Sequence, residues 1–399
     1  MSERNIDFDK VIDRKGTSSL KYDFAVRRGK PADVLPLWVA DMDFPTSSEI
    51  TDVLVQRAQH GIFGYTETDT EYFEAVSGWM LKRHGWKVER EWMLKTPGVV
   101  FAIAMAVKAY TKEGEGVLIQ QPVYYPFTEV IRDNNRVVVN NALVLHEDGR
   151  YYIDFEDFEK KITDNNVKLF LLCSPHNPVG RVWSIEELTK VGNICARHGV
   201  IIVSDEIHED FVYGKERKHN VFANISEEFA QMSITCTSPG KTFNLAGLQV
   251  SNIFIPNRKL KAAFRKQLDA AGYSQLGTMG IVACEAAYRY GGEWYEALMQ
   301  YLEKNLEFVR EYLRDNLPKI KLIEPEGTYL VWLDFRALHM TEEAREDLIV
   351  NKAGLWLDSG AIFGADGEGF ERINIACPKS ILLEALERIK KACSDEGLL

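Results

Sequence analysis

Between about residue 91 and residue 255, apolar residues come in short unbroken runs, separated by segments in which they recur every three or four positions. The runs predict seven strands, at 92–95, 117–120, 136–139, 168–173, 200–204, 233–237 and 250–255. The segments between them predict helices, among them 101–110 and one opened by the capping box Ser184-Ile185-Glu186-Glu187. Such alternation of buried strands and helices implies an α/β layered domain with a largely parallel sheet. Ligands of such a sheet bind beyond the carboxyl ends of its strands.

The flanking segments have a different rhythm. Residues 1–44 are irregular apart from an apolar knot, Leu35-Pro36-Leu37-Trp38-Val39-Ala40-Asp41-Met42-Asp43-Phe44, which suits an arm packed against something rather than a free tail. Thr46-Ser47-Ser48-Glu49 has the form of a capping box, and Ile50, Val53, Leu54 and Ala58 follow at helical spacing up to Gly61. Gly64-Tyr65-Thr66 then reads as a tight exposed turn before a second amphipathic helix through Tyr72, Val76, Trp79 and Met80, stopping near Gly85. Past residue 290 comes a long helix, 293–317, carrying Trp294, Leu298, Leu302 and Val309 and ending before Pro318. After it come a strand at 328–335, a charged helix near 341–352, a glycine-rich stretch at 360–369 and a strand at 372–376. The closing helix after Ser380 carries the i,i+4 pairs Glu384 with Arg388 and Glu387 with Lys391. The expected organisation is an arm (1–45) packing with the small domain, a large domain (46–290) and a small α+β C-terminal domain (291–399). A chain of 399 residues has the length for two cores.

Composition narrows the partners. With 46% hydrophobic and 27% charged residues and a net charge of -11, the chain reads as a soluble globular protein without a nucleic-acid or anionic-membrane surface. The six cysteines are scattered, form no Cys-x-x-Cys pair and sit in apolar runs, so they read as buried and reduced, and no metal site is expected. Met1 to Asp7 lacks the apolar stretch of a secretory leader, and nowhere do eighteen apolar residues run together. A cytoplasmic protein is expected.

Chemistry gathers where strands end. Ser238-Pro239-Gly240-Lys241-Thr242-Phe243-Asn244 places a lysine between a rigid turn and an apolar segment, a setting in which desolvation favours the nucleophilic neutral amine, although a solvated surface lysine fits the stretch equally. Asp205 closes the run before Glu206-Ile207-His208; alone, it reads as a cap or an ion-pair partner. Ser174-Pro175-His176-Asn177-Pro178 follows another strand and holds an amide that can donate or accept. Thr96-Pro97-Gly98-Val99-Val100 opens a helix whose first N–H groups suit an anion.

Taken together, Asn177, Asp205 and Lys241, with the anion turn upstream and Arg372 downstream, resemble the fold type I pyridoxal-phosphate enzymes of the aminotransferase class I and II superfamily, and the resemblance spans the whole chain. Within it the chain is similar to the cystathionine beta-lyase or cysteine carbon-sulfur lyase group. That narrower match is carried by Trp38 to Phe44, Pro122-Val123-Tyr124-Tyr125-Pro126-Phe127, Ser174 to Trp183, Asp205 to His208 and Arg372-Ile373-Asn374. The resemblance implies a large domain with a seven-stranded, mostly parallel sheet, pyridoxal 5'-phosphate as cofactor, and a homodimer with interfacial active sites. It makes Lys241 the Schiff-base lysine and general base, Asp205 the partner of the ring nitrogen, Asn177 the partner of the ring oxygen and Tyr124 the stacking ring. The phosphate falls to Gly98, Val99, Val100 and Ser238, with Tyr65 arriving from a second subunit. The substrate falls to Arg372, Asn177, Tyr125 and the backbone near Ala40. Gln249 stands where many aminotransferases carry an arginine, and His208 where a tyrosine usually bonds the ring oxygen, which leaves that partner open and offers His208 as a support behind Asp205. Both departures agree with the lyase group. The implied reaction is beta-elimination at L-cysteine thioethers; an aminotransferase of the same fold and a regulatory or partner-binding protein are the alternatives.

Overall fold

The computed structural model describes residues 6–399. Met1 to Asn5, on which the expectation about a leader partly rests, lie outside the described residues. Seven strands build the main sheet: β1 (Met93–Thr96), β2 (Gly116–Ile119), β3 (Val137–Asn140), β4 (Val167–Cys173), β5 (Ile201–Asp205), β6 (Ser233–Thr237) and β7 (Ser251–Phe254). Their order is β1-β7-β6-β5-β4-β2-β3, parallel throughout except that β7 runs antiparallel to both its neighbours. All seven expected strands are present, each within a residue or two of its predicted limits. In β4 every residue but Lys168 is buried, as a strand covered on both faces requires. One covering layer includes α3 (Val99–Tyr110), whose Ala102, Ile103, Ala106 and Val107 are buried in a cluster with Leu169, Leu171 and Val203 of the sheet.

The helices follow the pattern with local corrections. Helices α1 (Ser48–His60) and α2 (Thr70–His84) end on Gly61 and Gly85, both at positive φ. The capping box expected from Thr46 does not form. Ser47 is the cap, accepting from the Ile50 N–H at 3.4 Å, while Glu49 accepts from the Ser48 hydroxyl. The box at Ser184 does form and opens α4 (Ile185–His198), with bonds of 3.1 and 2.9 Å. Helix α3 starts two residues before the expected Phe101, directly on Gly98. Helices α5 (Thr278–Tyr290) and α6 (Gly292–Asn316) lead into a four-stranded antiparallel sheet of β8 (Lys321–Ile323), β9 (Leu330–Asp334), β10 (Asp358–Ser359) and β11 (Phe370–Asn374), in the order β8-β9-β11-β10. The charged helix covers only Glu342–Asp347 before widening into a π turn, Leu348–Lys352. In α7 (Lys379–Asp395), Glu384 pairs with Arg388 as expected; Lys391 pairs with Asp395 instead of Glu387.

The apolar knot near the N-terminus is held by the C-terminal third of the chain. Leu35–Pro36 pairs in parallel with Leu355–Trp356, and Trp38 stacks on Trp356 with ring centroids 4.3 Å apart. From β11, the Asn374 amide donates to the carbonyls of Val39 and Asp41 at 2.7 and 2.6 Å. From the other side, Asn244 bonds the N–H of Met42 and the carbonyls of Met42 and Phe44. The segment from Trp38 to Phe44 is therefore fixed between the lysine-bearing loop and the small sheet, and Ala40 lies at its centre. No helix among the described residues is long and apolar enough to cross a membrane, and all six cysteines are free and buried.

Candidate active site

Four strands deliver their carboxyl ends to one cavity of about 260 Å³. Asp205 is the last residue of β5; Ser174 to Asn177 follow β4; Ser238 to Lys241 follow β6; Pro97 and Gly98 follow β1. Gly98, Val99, Val100, Tyr124, Asn177, Asp205, His208, Ser238 and Lys241 line the cavity, with Ala40 of the fixed segment closing it. Arg372, on β11, adjoins it and donates through Nη1 to Asn177 Oδ1 at 3.1 Å. Tyr125 is next to the site, its ring 5.4 Å from that of Tyr124. Tyr65 is the exception: it stands 99% exposed on the loop between α1 and α2, and no part of it lines this cavity.

The electrostatics separate Lys241 from an ordinary lysine. Its Nζ donates to the Ala40 carbonyl at 2.7 Å and has no carboxylate in contact. Burial and the nearby Arg372 push its pKa down to about 8, against weaker upward pulls from Asp41 and Asp205. Burial pushes Asp205 up to about 7, despite the Ile207 N–H it accepts from at 3.1 Å and the charge of Lys241. A carboxylate so placed is short of a cationic partner. His208 is held well below the usual histidine range by burial, with Lys241 and Arg372 adding to the effect. Its Nδ1 is buried without a partner, and no hydrogen bond joins it to Asp205, so the support from behind is not realised. His208 faces the cavity instead, its ring 5.8 Å from that of Tyr329. Because only the neutral amine attacks a carbonyl, the rate at which cofactor-free protein takes up pyridoxal phosphate is expected to climb through pH 8 and level off above it. Stopped-flow absorbance across pH 6 to 10.5 checks this; a climb still steep at pH 10 would place Lys241 at its ordinary value.

The opposite wall suits an anion. Helix α3 begins at Gly98 with no side chain capping its first N–H groups, so the orphan donors and the positive end of the helix dipole are left to the cavity. Ser238 is already engaged: its hydroxyl donates to the Val250 carbonyl at 2.7 Å and accepts from the Gly240 N–H at 3.0 Å, so serving an anion requires it to rotate. Gln249 sits at the rim with φ 51°.

Several residues of the site carry no local signal in the sequence. Tyr329 donates to the Ala40 carbonyl at 3.0 Å, beside Lys241. Asp358 of β10 is buried and paired with Nη2 of Arg372, which also donates to the Trp38 carbonyl at 2.7 Å. The Arg372 Nε, buried and unpartnered, is left for an incoming acceptor. Asp358→Ala leaves a buried guanidinium uncompensated and is expected to cost about 3–5 kcal/mol of stability. Saturating glycine should raise the melting temperature of this variant more than that of the parent, because its carboxylate restores an anion. Equal shifts in calorimetry would show that Asp358 does not govern Arg372.

Comparison with known proteins follows this geometry. The model of the family "Aminotransferase class I and II" matches residues 32–389. The chain is 46% identical over 390 residues to cystathionine beta-lyase PatB of Bacillus subtilis (strain 168), covering 98% of this chain and all of that one. It is 34% identical to protein MalY of Escherichia coli (strain K12), over 94% of this chain and 96% of the other. Among solved structures it is similar to cystalysin from Treponema denticola, which contains a pyridoxal 5'-phosphate cofactor, with a TM-score of 0.94, 41% identity and coverage of 98% and 100%. The cavity at the strand ends, its amine and its buried carboxylate thus sit in a chain that belongs to the class I and II aminotransferase family of pyridoxal-phosphate enzymes.

Proposed function

We propose that this protein is a pyridoxal-phosphate-dependent carbon-sulfur beta-lyase that converts L-cysteine thioethers such as L-cystathionine to pyruvate, ammonia and a thiol. The observation that carries this reading is full-length similarity, at 46% identity, to a protein named cystathionine beta-lyase, in a chain whose cavity holds Lys241, Asp205 and Asn177 with Arg372 beside them. The residues present fit the cofactor. Asp205 lacks a cation, the first turn of α3 lacks an anion, and Lys241 offers an amine that burial makes easy to deprotonate.

The cofactor, when bound, supplies an electron sink for the negative charge that develops at the substrate's alpha carbon. The chain's own residues do the rest. Arg372 takes the alpha carboxylate in a two-pronged grip, with the Asn177 amide and the backbone near Ala40 completing the seat. Asp205 would hold the cofactor's ring nitrogen protonated, and Tyr124 would lie against the ring. Lys241, once free, removes the alpha proton through Nζ. The carbon-sulfur bond then breaks as the double bond between the alpha and beta carbons forms, the electron pair of the broken bond leaving with sulfur. Lys241, Tyr124 or Tyr125 returns a proton to the thiolate, and one water hydrolyses the released enamine, through its imine, to pyruvate and ammonia. Burial raises the Tyr124 phenol above its usual range, which keeps it protonated and able to act as a donor.

The active form is a homodimer. Ile62, Phe63 and Tyr65 project from one loop at 65%, 60% and 99% exposure, a surface suited to a second copy of the chain, where Tyr65 reaches the partner's phosphate. Sedimentation is expected to give a dimer, and Tyr65→Phe to weaken cofactor retention by about 0.5–1.5 kcal/mol. A monomer with full cofactor occupancy would contradict this. In this reading the arm at 1–45 packs with the small domain at 291–399, and the large domain at 46–290 binds the cofactor. The free cysteines and the absence of a membrane-spanning helix among the described residues are compatible with a cytoplasmic protein. The decisive assay incubates the pure protein with L-cystathionine, L-cysteine and S-alkyl cysteines and measures pyruvate and thiol. If no pyruvate forms while an amino acid and a keto acid exchange amino groups at an enzymatic rate, the protein is an aminotransferase instead.

A further inference from the structure

Outside the lining of the cavity lies a buried group of five ionisable side chains that the proposed chemistry does not use. His84 stands at the end of α2; Glu206, Glu209 and Asp210 follow β5; His219 comes from the next loop. Glu206, Glu209, Asp210 and His219 are 0%, 3%, 5% and 4% exposed, and the His84 side chain is 5% exposed. Part of the group is satisfied. Glu206 accepts from the Ser204 hydroxyl, the Phe222 N–H and His219 Nε2, the last at 2.7 Å. Asp210 accepts from Trp79, from Thr242 at 2.6 Å and from His84 Nε2 at 3.1 Å.

Glu209 is not satisfied. Its Oε2 is buried with no hydrogen-bond donor and lies 3.8 Å from His84 Nε2, and Nδ1 of His219 is likewise buried and unpartnered. One ligand atom each from His84, Glu209 and Asp210 lie within 4.8 Å of one another, and so do one each from Glu206, Glu209 and His219. Glu209 belongs to both triads and points between the two imidazoles. Three carboxylates are buried together, one of them without donors, and among the described residues neither lysine nor arginine forms a salt bridge with any of the three, so a cation would supply the charge that compensates them.

We propose that the Glu206–Glu209–His219 triad binds one divalent transition-metal ion of the zinc class, the buried and unpartnered Glu209 Oε2 and His219 Nδ1 being its first ligands, with His84 and Asp210 flanking the site. Mixed imidazole nitrogen and carboxylate oxygen is a donor set for Zn²⁺ or Co²⁺ and a poor one for Mg²⁺ or Ca²⁺. On entry of the ion, the proton of the buried Glu209 acid leaves for solvent, and small side-chain rotations bring the three ligands together. Such an ion ties the segment that follows Asp205 to the loop that carries His219. Asp210, next to Glu209, bonds Thr242 of the short helix that carries Lys241. Its role is to brace the site, not to take part in bond making.

The test uses the untagged holoenzyme, dialysed against a chelator and then against ZnCl₂, CoCl₂ or MgCl₂. The expected result is one Zn²⁺ or Co²⁺ retained per chain by elemental analysis, visible d–d bands with Co²⁺, a melting temperature that falls on chelation and returns with Zn²⁺ but not Mg²⁺, and an unchanged cofactor content. Glu209→Gln, which keeps the volume and removes the charge, should lower metal affinity by at least about 10- to 100-fold, the scale already seen for loss of an outer-sphere partner, and should make the melting temperature indifferent to the chelator. His219→Gln should do the same. Wild-type protein that takes up neither ion overturns the proposal, leaving Glu209 as a neutral buried acid. Uptake that is undiminished in both variants places the ion elsewhere and overturns it equally.

Discussion

Lys241→Ala protein is expected to carry no covalently bound cofactor and to lose catalysis by more than the about 10²–10⁴-fold attributed to a single general base, because in the proposed mechanism the same amine both attaches the cofactor and moves the alpha proton. The structure makes the assignment specific. Lys21 is fully buried, but its ammonium meets Asp43 at 2.7 Å and Asp41 at 3.6 Å, two carboxylates that neutralise it and hold it in place. Lys241 has only the Ala40 carbonyl, and Arg372 beside it works against its charge. Borohydride reduction of the parent followed by peptide mass analysis should therefore label the peptide containing Lys241 and no other. An alanine variant that still forms a reducible adduct and turns over at the parent rate would remove Lys241 from the mechanism.

What could be read in advance follows from how locally each feature is determined. The strands were legible because a sheet covered on both faces needs unbroken apolar runs, and β4 shows such a run plainly. Helix starts were legible only where the flanking backbone cooperates: Ser184 forms its reciprocal bonds with Glu187, whereas the similar pattern at Thr46 loses to Ser47, one residue later. Site residues at strand ends could be located by position, since each lies where an apolar run ends, but only their combination pointed to the chemistry. Asp358, Tyr329 and Asn244 could not. Asp358 matters because β10 pairs beside β11 and brings it to Arg372, and Asn244 matters because its amide meets Met42 and Phe44, about two hundred positions away. These are consequences of register and packing, on which the local pattern is silent. His208 lines the cavity, where the resemblance sets it among the cofactor residues, but the turn after β5 gives it no bond to Asp205, so the alternative of a support behind that carboxylate is not what the packing provides.

Asp205→Asn is expected to separate function from stability. In the proposed mechanism the carboxylate holds the ring nitrogen protonated, so its loss should lower kcat by about 10²–10⁴-fold, the range for losing one acid–base or charge-stabilising group. In the cofactor-free protein the same carboxylate is a burden. Its pKa rises from 3.8 to about 7 on folding, so between those values the folded state holds a proton that the unfolded state has released. Stability contributed by that proton is present below pH 4 and is lost as the pH rises through 7, by about 4 kcal/mol at most. Asparagine has no such charge to bury, so at pH 8 the cofactor-free variant should melt higher than the cofactor-free parent, and the gap should close toward pH 4. With pyridoxal phosphate bound, the order should reverse, because the ring cation then offsets the charge of Asp205 and leaves the asparagine unrewarded. Melting curves of both proteins, with and without cofactor, at pH 5 and pH 8 decide it. A variant that is no more stable than the parent without cofactor at pH 8, or that keeps parental kcat, would mean that Asp205 is a structural carboxylate already compensated within the chain.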